Sequence, residues 1–201
     1  NSMVKLTIDG IQVEAEKGTS ILHAAESVGI EVPTLCYIKD LLPDGSCRMC
    51  MVEIESRGRT KMETACTAQV AEGLVVTTNS EKVRNARRNI LDMLLSNHKT
   101  DCFSCPSNGD CKLQELCFEY GIERTTYSGE QTELPIDDSN KFFTYNPNLC
   151  ILCHRCVNTC HKIVGRGAID TMERGFDSAI GTPFHIDWAD TNCESCGNCV
   201  Q

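Results

Sequence analysis

The sequence predicts an α+β chain of three small units, and three observations predict it. The first eighty residues alternate in short strand-like runs around a single helical stretch, residues 81–97 carry an amphipathic helical pattern, and fourteen of the fifteen cysteines fall into four tightly spaced groups along 201 residues. Such a chain can bury some core, but its 41% hydrophobic content is spread over segments too short to be held by packing alone. The cysteine groups are the natural staples. Asn1-Ser2-Met3 reads as a vector remnant ahead of the native start and carries no information about the fold.

The first unit, 3–80, opens with an alternating strand (Val4, Leu6, Ile8), a turn at Asp9-Gly10 and a second strand through Ile11 and Val13, which is a hairpin. Thr19 or Ser20 then caps a helix whose apolar face is Ile21, Leu22, Ala25 and Val28; Gly29 stops it and Pro33 blocks its continuation. Met51 to Ile54 and Leu74 to Thr77 read as further strands. A small mixed sheet crossed by one helix, with its cysteines on loops, is a β-grasp arrangement. On those loops stand Cys36, Cys47, Cys50 and Cys66, spaced by ten, two and fifteen residues. That spacing suits a 2Fe-2S rhomb, with Cys47 and Cys50 expected on one iron and Cys36 and Cys66 on the other. Gly45, Ser46 and Arg48 make a short polar loop able to offer backbone N–H groups to sulfur.

The second unit, 81–128, begins with the helix EKVRNARRNILDMLLSN, whose apolar positions Val83, Ala86, Ile90, Met93 and Leu94 recur at helical spacing. Arg87 and Arg88 are expected on its solvated face. The helix leads to His98-x3-Cys102-x2-Cys105-x5-Cys111, compact enough to wrap one 4Fe-4S cubane with a single imidazole among its ligands. A neutral imidazole in place of a thiolate removes a negative charge and should raise the potential. Cys117 lies outside the ligand count and reads as a packed thiol.

After a Thr, Ser, Gly and Asp-rich linker over 125–140, the third unit, 140–201, carries Cys150-x2-Cys153-x2-Cys156-x3-Cys160 and then Cys193-x2-Cys196-x2-Cys199. In a two-cluster ferredoxin motif the fourth cysteine of each run ligates the other cluster. Cys160 therefore joins Cys193, Cys196 and Cys199, while Cys150, Cys153 and Cys156 need a ligand expected three residues beyond Cys199, just past Gln201. The motif is truncated on this reading, and further sequence is expected to follow. His154 stands where glycine is frequent and His161 where proline is frequent. No role is assigned to His23, His154, His161 or His185, and Trp188 is expected in packing.

Zinc is the alternative metal for Cys-x2-Cys pairs, most of all for the first group with its long gaps; the repeated x2-x2 triples favour cubanes. The formal charge of -9 and the lack of a basic patch argue against nucleic acid, and no apolar run approaches a membrane span. No export signal is visible, so a reducing, cytoplasmic setting is expected, consistent with an odd cysteine count. There is no Gly-rich nucleotide loop, nucleophile with a base, or paired-carboxylate motif. No catalytic centre is expected in residues 1–201 beyond electron transfer.

The His98 string followed by KLQELCFEYGI, together with the units on either side in this order, resembles the N-terminal iron–sulfur region of FeFe hydrogenases, NAD(P)-linked formate dehydrogenases and the large iron–sulfur subunit of complex I. It is also similar to the short diaphorase iron–sulfur subunit of NAD-reducing nickel–iron hydrogenases. GRGAID, RGFDSAIGTPF and CESCGNC look nearest to the formate dehydrogenase version. The resemblance implies an electron-transfer module between a flavin- and NAD(P)-binding diaphorase with its own clusters and a remote catalytic domain or subunit for formate or hydrogen. Some members of these families bifurcate electrons to ferredoxin. The alternatives are a stand-alone relay subunit and, more remotely, a zinc-stabilised interaction module.

Overall fold

The computed structural model describes residues 2–200, which divide into two compact units, 2–92 with 109–123 and 93–108 with 124–200. The first is built on a mixed five-stranded sheet. β1 (Met3–Ile8) and β2 (Ile11–Glu16) form the expected hairpin in full register, Met3 opposite Glu16 and Ile8 opposite Ile11. Asp9 (φ 48°) and Gly10 (φ 84°) both take the left-handed conformation that a two-residue turn of matching twist requires. Asp9 also reaches across the sheet, its carboxylate accepting from the Thr78 N–H at 2.8 Å and the Thr78 hydroxyl at 2.5 Å.

Helix α1 (Ile21–Glu26) follows, with Ser20 as its cap, the hydroxyl accepting from the His23 N–H at 3.2 Å. Its exit is a Schellman turn: Gly29 at φ 78° lets the Ile30 N–H reach the Ala25 carbonyl and its own N–H reach that of Glu26, both at 3.0 Å. β3 (Met51–Ser56), β4 (Arg59–Thr64) and β5 (Leu74–Thr77) complete the sheet in the order β2-β1-β5-β3-β4, with β1 and β5 parallel and the other pairs antiparallel. β4 is a strand that the sequence does not announce. It lies at the sheet edge with Arg59, Thr60 and Lys61 exposed, so no hydrophobic alternation marks it. The signal that was present is the turn, Arg57 (φ 50°) and Gly58 (φ 73°), which closes a second two-residue hairpin. Leu6, Ile8, Ile21, Leu22, Val52 and Val76 form the core between sheet and helix, and Cys50 and Cys66 border it.

Helix α2 (Glu81–Ser96) spans the predicted stretch but buries a different stripe. Val83, Arg87, Leu91 and Leu95, four residues apart, are the buried positions, whereas Met93 is 53% exposed. Arg87, expected in solvent, is 3% exposed. Its long stem fits an i, i+4 row, and Tyr120 and the β3 backbone accept from its guanidinium. Arg88 is exposed as expected, its guanidinium donating to the Tyr120 carbonyl. α3 (Lys112–Glu119) packs Leu113, Leu116 and Cys117 inward, so Cys117 is a buried thiol.

The second unit has little regular structure. A two-stranded hairpin, β6 (Asp170–Met172) with β7 (Ala179–Gly181), a helical turn α4 (Arg155–Asn158) running into a π-helical stretch (Thr159–Val164), and short 3-10 turns enclose a small core of Ile169, Ile180 and Trp188. Trp188 is 5% exposed, with Phe143 edge-on at 5.0 Å. Cys150, Cys156, Cys160 and Cys193 pack against this core, so cysteines here occupy places that aliphatic side chains fill in the first unit. Among the described residues, no helix is long and apolar enough to cross a membrane.

Candidate iron–sulfur sites

In the first unit all four cysteines of the first group are buried, at 7%, 7%, 1% and 3% exposure for Cys36, Cys47, Cys50 and Cys66. They meet. The Cys47 thiol hydrogen-bonds to Cys36 and the Cys66 thiol to Cys50, and the charge of Cys36 is felt at the other three. The thiol contacts join Cys36 with Cys47 and Cys50 with Cys66. The reason lies in the backbone: Cys50 and Ala65 are joined across the start of the β3–β4 ladder, Ala65 N–H to Cys50 carbonyl at 2.9 Å, which brings Cys66 alongside.

The electrostatics follow from that pairing. Cys36 is held down to about 5 by the Cys47 thiol, against burial, with the N–H groups of Cys47 and Ser46 assisting. Cys50 is held down to about 7 by the Cys66 thiol, again against burial, with the N–H groups of Cys66 and Ala65 assisting. Cys47 and Cys66, the donors, are pushed up, and amides of Leu35 and Met49 face Cys47. The Gly45-Ser46-Cys47-Arg48 loop achieves this with Gly45 at φ 66° and Arg48 at φ 60°, left-handed residues that turn successive amides inward. A set of buried sulfurs ringed by N–H donors is the environment that an anionic cluster requires, and these residues fit one.

His98 follows the C-terminal end of α2, half-buried, with its Nδ1 buried and lacking a hydrogen-bond partner. Burial lowers its pKa, so the ring is neutral and has a lone pair available. Cys102 and Cys105 lie on successive turns after it, Cys105 N–H bonding to the Cys102 carbonyl at 3.3 Å, and both belong to the second unit with His98. Cys111 belongs to the first unit as the N-cap of α3, extended in backbone and making no side-chain cap bond. An orphaned imidazole nitrogen and a cap residue that does not cap are both features that ligation would explain.

The third set of candidates, in the second unit, repeats itself. The Leu152 N–H points at the Cys150 sulfur at 3.3 Å and the Ser195 N–H at the Cys193 sulfur at 3.4 Å. Leu152 (φ 52°) and His154 (φ 59°) match Ser195 (φ 53°) and Gly197 (φ 76°) in sequence offset and in left-handed backbone. His154 thus adopts a conformation that its counterpart meets with glycine. Cys160, Cys193, Cys196 and Cys199 ring one cavity, roofed by Phe143, Ile169 and Trp188. Cys150 is pushed up by burial, and Cys156, pushed up by burial to about 12, also feels the charges of Cys150, Cys153 and Cys199. Ala168 N–H adds a bond to the Cys160 sulfur at 3.3 Å. Among the described residues no group of three or more His, Cys, Asp or Glu side chains is set to hold a single metal ion.

Residues 1–81 match the family model of a 2Fe-2S iron–sulfur cluster binding domain, and residues 87–126 that of the NADH-ubiquinone oxidoreductase-G iron–sulfur binding region. The chain is 42% identical over 201 residues to an NADH-quinone oxidoreductase subunit of Rhizobium meliloti, covering 99% of this chain and 23% of that protein. The chain belongs to the iron–sulfur subunit family of NAD(P)-linked oxidoreductases and hydrogenases. Within this family it is 37% identical over 204 residues to a NADP-reducing hydrogenase subunit of Solidesulfovibrio fructosivorans, covering 99% of this chain and 34% of that one. A crystal structure of NAD+-reducing nickel–iron hydrogenase in the H2-reduced state superposes with a TM-score of 0.86 at 30% identity, over 94% of this chain and 80% of that chain. The chain therefore spans about a quarter to a third of the curated relatives' length.

Proposed function

We propose that this chain is an electron relay that carries a 2Fe-2S cluster on Cys36, Cys47, Cys50 and Cys66 and 4Fe-4S clusters on His98, Cys102, Cys105 and Cys111, on Cys160, Cys193, Cys196 and Cys199, and on Cys150, Cys153 and Cys156 with a fourth ligand outside residues 1–201. The observation that carries the reading is the amide-lined gathering of four buried thiols in the first unit. Bound there, the cluster supplies one-electron storage between two thiolate pairs. The protein's part is to favour the thiolate at Cys36 and Cys50 and to bury all four sulfurs. The Ser46, Cys47, Ala65 and Cys66 N–H groups stabilise negative charge on sulfur without a proton, and the adjoining core of Val52, Val76 and Ile21 excludes water. With Cys36 and Cys47 on one iron and Cys50 and Cys66 on the other, the division follows the thiol pairs.

At the second site the neutral His98 ring offers a nitrogen without adding charge. In the second unit, the paired N–H bonds from Leu152 and Ser195 serve equivalent sulfurs in the two halves of a ferredoxin-like motif. The partners are a flavin- and NAD(P)-binding diaphorase on one side and a catalytic domain or subunit on the other, in a reducing cytoplasmic compartment. Hydrogen is supported as terminal substrate by the NADP-reducing hydrogenase relative; formate is supported by the resemblance of GRGAID and RGFDSAIGTPF to formate dehydrogenases. A second reading, a short dedicated relay subunit, is favoured by the 80% coverage of the chain in the nickel–iron hydrogenase structure.

Anaerobic reconstitution with iron and sulfide tests the proposal. A brown protein is expected, with an iron content below the roughly fourteen atoms of one 2Fe-2S and three 4Fe-4S clusters, because the Cys150, Cys153 and Cys156 site lacks its fourth ligand within residues 1–201; full occupancy would defeat that part of the reading. A colourless chain that takes up zinc in preference and shows no reducible absorbance defeats it.

A further inference from the structure

Among the described residues, Arg87 is a buried cation without a carboxylate partner. At 3% exposure it donates from Nη1 to the Tyr120 hydroxyl at 3.0 Å and from Nη2 to the Met51 carbonyl at 2.8 Å, while its Nε is buried with no hydrogen-bond partner. Among the described residues no carboxylate pairs with it, although acids are abundant in a chain with 28 of them. A guanidinium taken out of water and left unpaired is costly, and such groups persist where a compensating charge lies near. Met51 follows Cys50 directly, and covalent geometry limits the distance from the Arg87 Nη2 to the Cys50 sulfur to about 12 Å at most.

Resting on the proposed 2Fe-2S site, we propose that Arg87 is a positioning and potential-setting residue for that cluster: its buried charge favours the reduced, more negative form. The cluster's four thiolates would supply the anion that no side chain among the described residues provides, and the Met51 carbonyl, one residue after Cys50, fixes one edge of the guanidinium while Tyr120 fixes the other. One electron added to the cluster increases the negative charge facing Arg87 by one unit, with no proton required. At about 12 Å and an effective dielectric of about 20, removing the cation should cut the reduced-to-oxidised ratio at a fixed poise by about tenfold, a shift of ~59 mV to lower potential.

The test is an EPR-monitored redox titration of the anaerobically reconstituted full chain and its Arg87→Gln, Arg87→Lys and Tyr120→Phe variants. Arg87→Gln is expected to lower the 2Fe-2S midpoint, and Arg87→Lys to stay near the parent. Tyr120→Phe, which removes a hydrogen bond and keeps the charge, should lower the melting temperature and leave the midpoint in place. Equal midpoints in the parent and Arg87→Gln overturn the inference and leave the relay proposal standing; absence of any 2Fe-2S signal in the parent overturns the relay proposal itself. If Arg87→Gln fails to load the cluster, loading of Arg87→Lys supports a requirement for charge, and failure of both marks Arg87 as a packing anchor only and overturns the inference.

Discussion

His98 and Cys111 carry the most specific residue-scale expectations, because among the described residues the His98 Nδ1 is buried without a hydrogen-bond partner and the Cys111 side chain makes no cap bond to α3. His98→Ala should abolish the signal of one reduced 4Fe-4S centre and leave the others, whereas His98→Cys should restore a cluster at lower potential, since a thiolate adds negative charge; redox titration reads both. His154 makes a stability prediction. It holds φ 59° where the equivalent residue is Gly197, so His154→Gly should raise stability by ~1 kcal/mol in a denaturant titration, less the contact its ring makes with Thr171 at 3.2 Å. The sequence flagged His154 as an unusual replacement for glycine, but only the backbone shows the repeat at Leu152 and Ser195 that gives the replacement its meaning.

Asp137 sets a pH dependence at the same scale. Burial would raise its carboxyl, but the Ser139 hydroxyl and the Ser139 and Trp188 N–H groups outweigh that and hold it below the ordinary range. A group depressed in the folded state stabilises above its unfolded pKa and loses that contribution as pH falls through the folded one. Stability of the second unit should therefore fall below about pH 4, and Asp137→Asn should flatten that limb while costing ~1–2 kcal/mol at neutral pH.

Elements differ in how openly the sequence declares them. The β1–β2 hairpin, α1 with its Ser20 cap and Gly29 stop, and β5 are written in local chemistry, alternation and turn residues, and they fold accordingly. Gly29→Ala should cost ~1 kcal/mol because the Schellman turn needs a left-handed residue there. β4 was hidden because an edge strand with solvent on it has no apolar face to show, and the Arg57-Gly58 turn is its sole local mark. In α2 the periodicity was legible but the phase was not: Val83, Leu91 and Leu95 share a row with Arg87, and a pattern read from apolar residues alone rotates the helix away from a buried charge. Leu91→Ala, at 0% exposure, should cost ~2–5 kcal/mol by thermal melt, whereas Met93→Ala should cost little. The candidate site was legible as a set of cysteines, and its pairing was not. The contact of Cys50 with Cys66 depends on the β3–β4 register, which cysteine spacing alone does not encode.

At the scale of the whole chain, two compact units are supported by different means. The first has an extended hydrophobic core built on five strands and α1. The second has three buried core residues surrounded by cysteines and little regular backbone, so its stability should depend on clusters. Removing iron with a chelator should melt the second unit's tertiary signals, with Trp188 fluorescence as the reporter, while the hairpin and α1 amides of the first remain protected in hydrogen exchange. The most direct test of the central claim is EPR of the reconstituted, reduced chain beside its Cys50→Ser variant. The relay account predicts a reduced 2Fe-2S signal in the parent that is lost in Cys50→Ser with the 4Fe-4S signals retained. A parent that binds zinc and gives no signal, or a 2Fe-2S signal indifferent to Cys50, would contradict it.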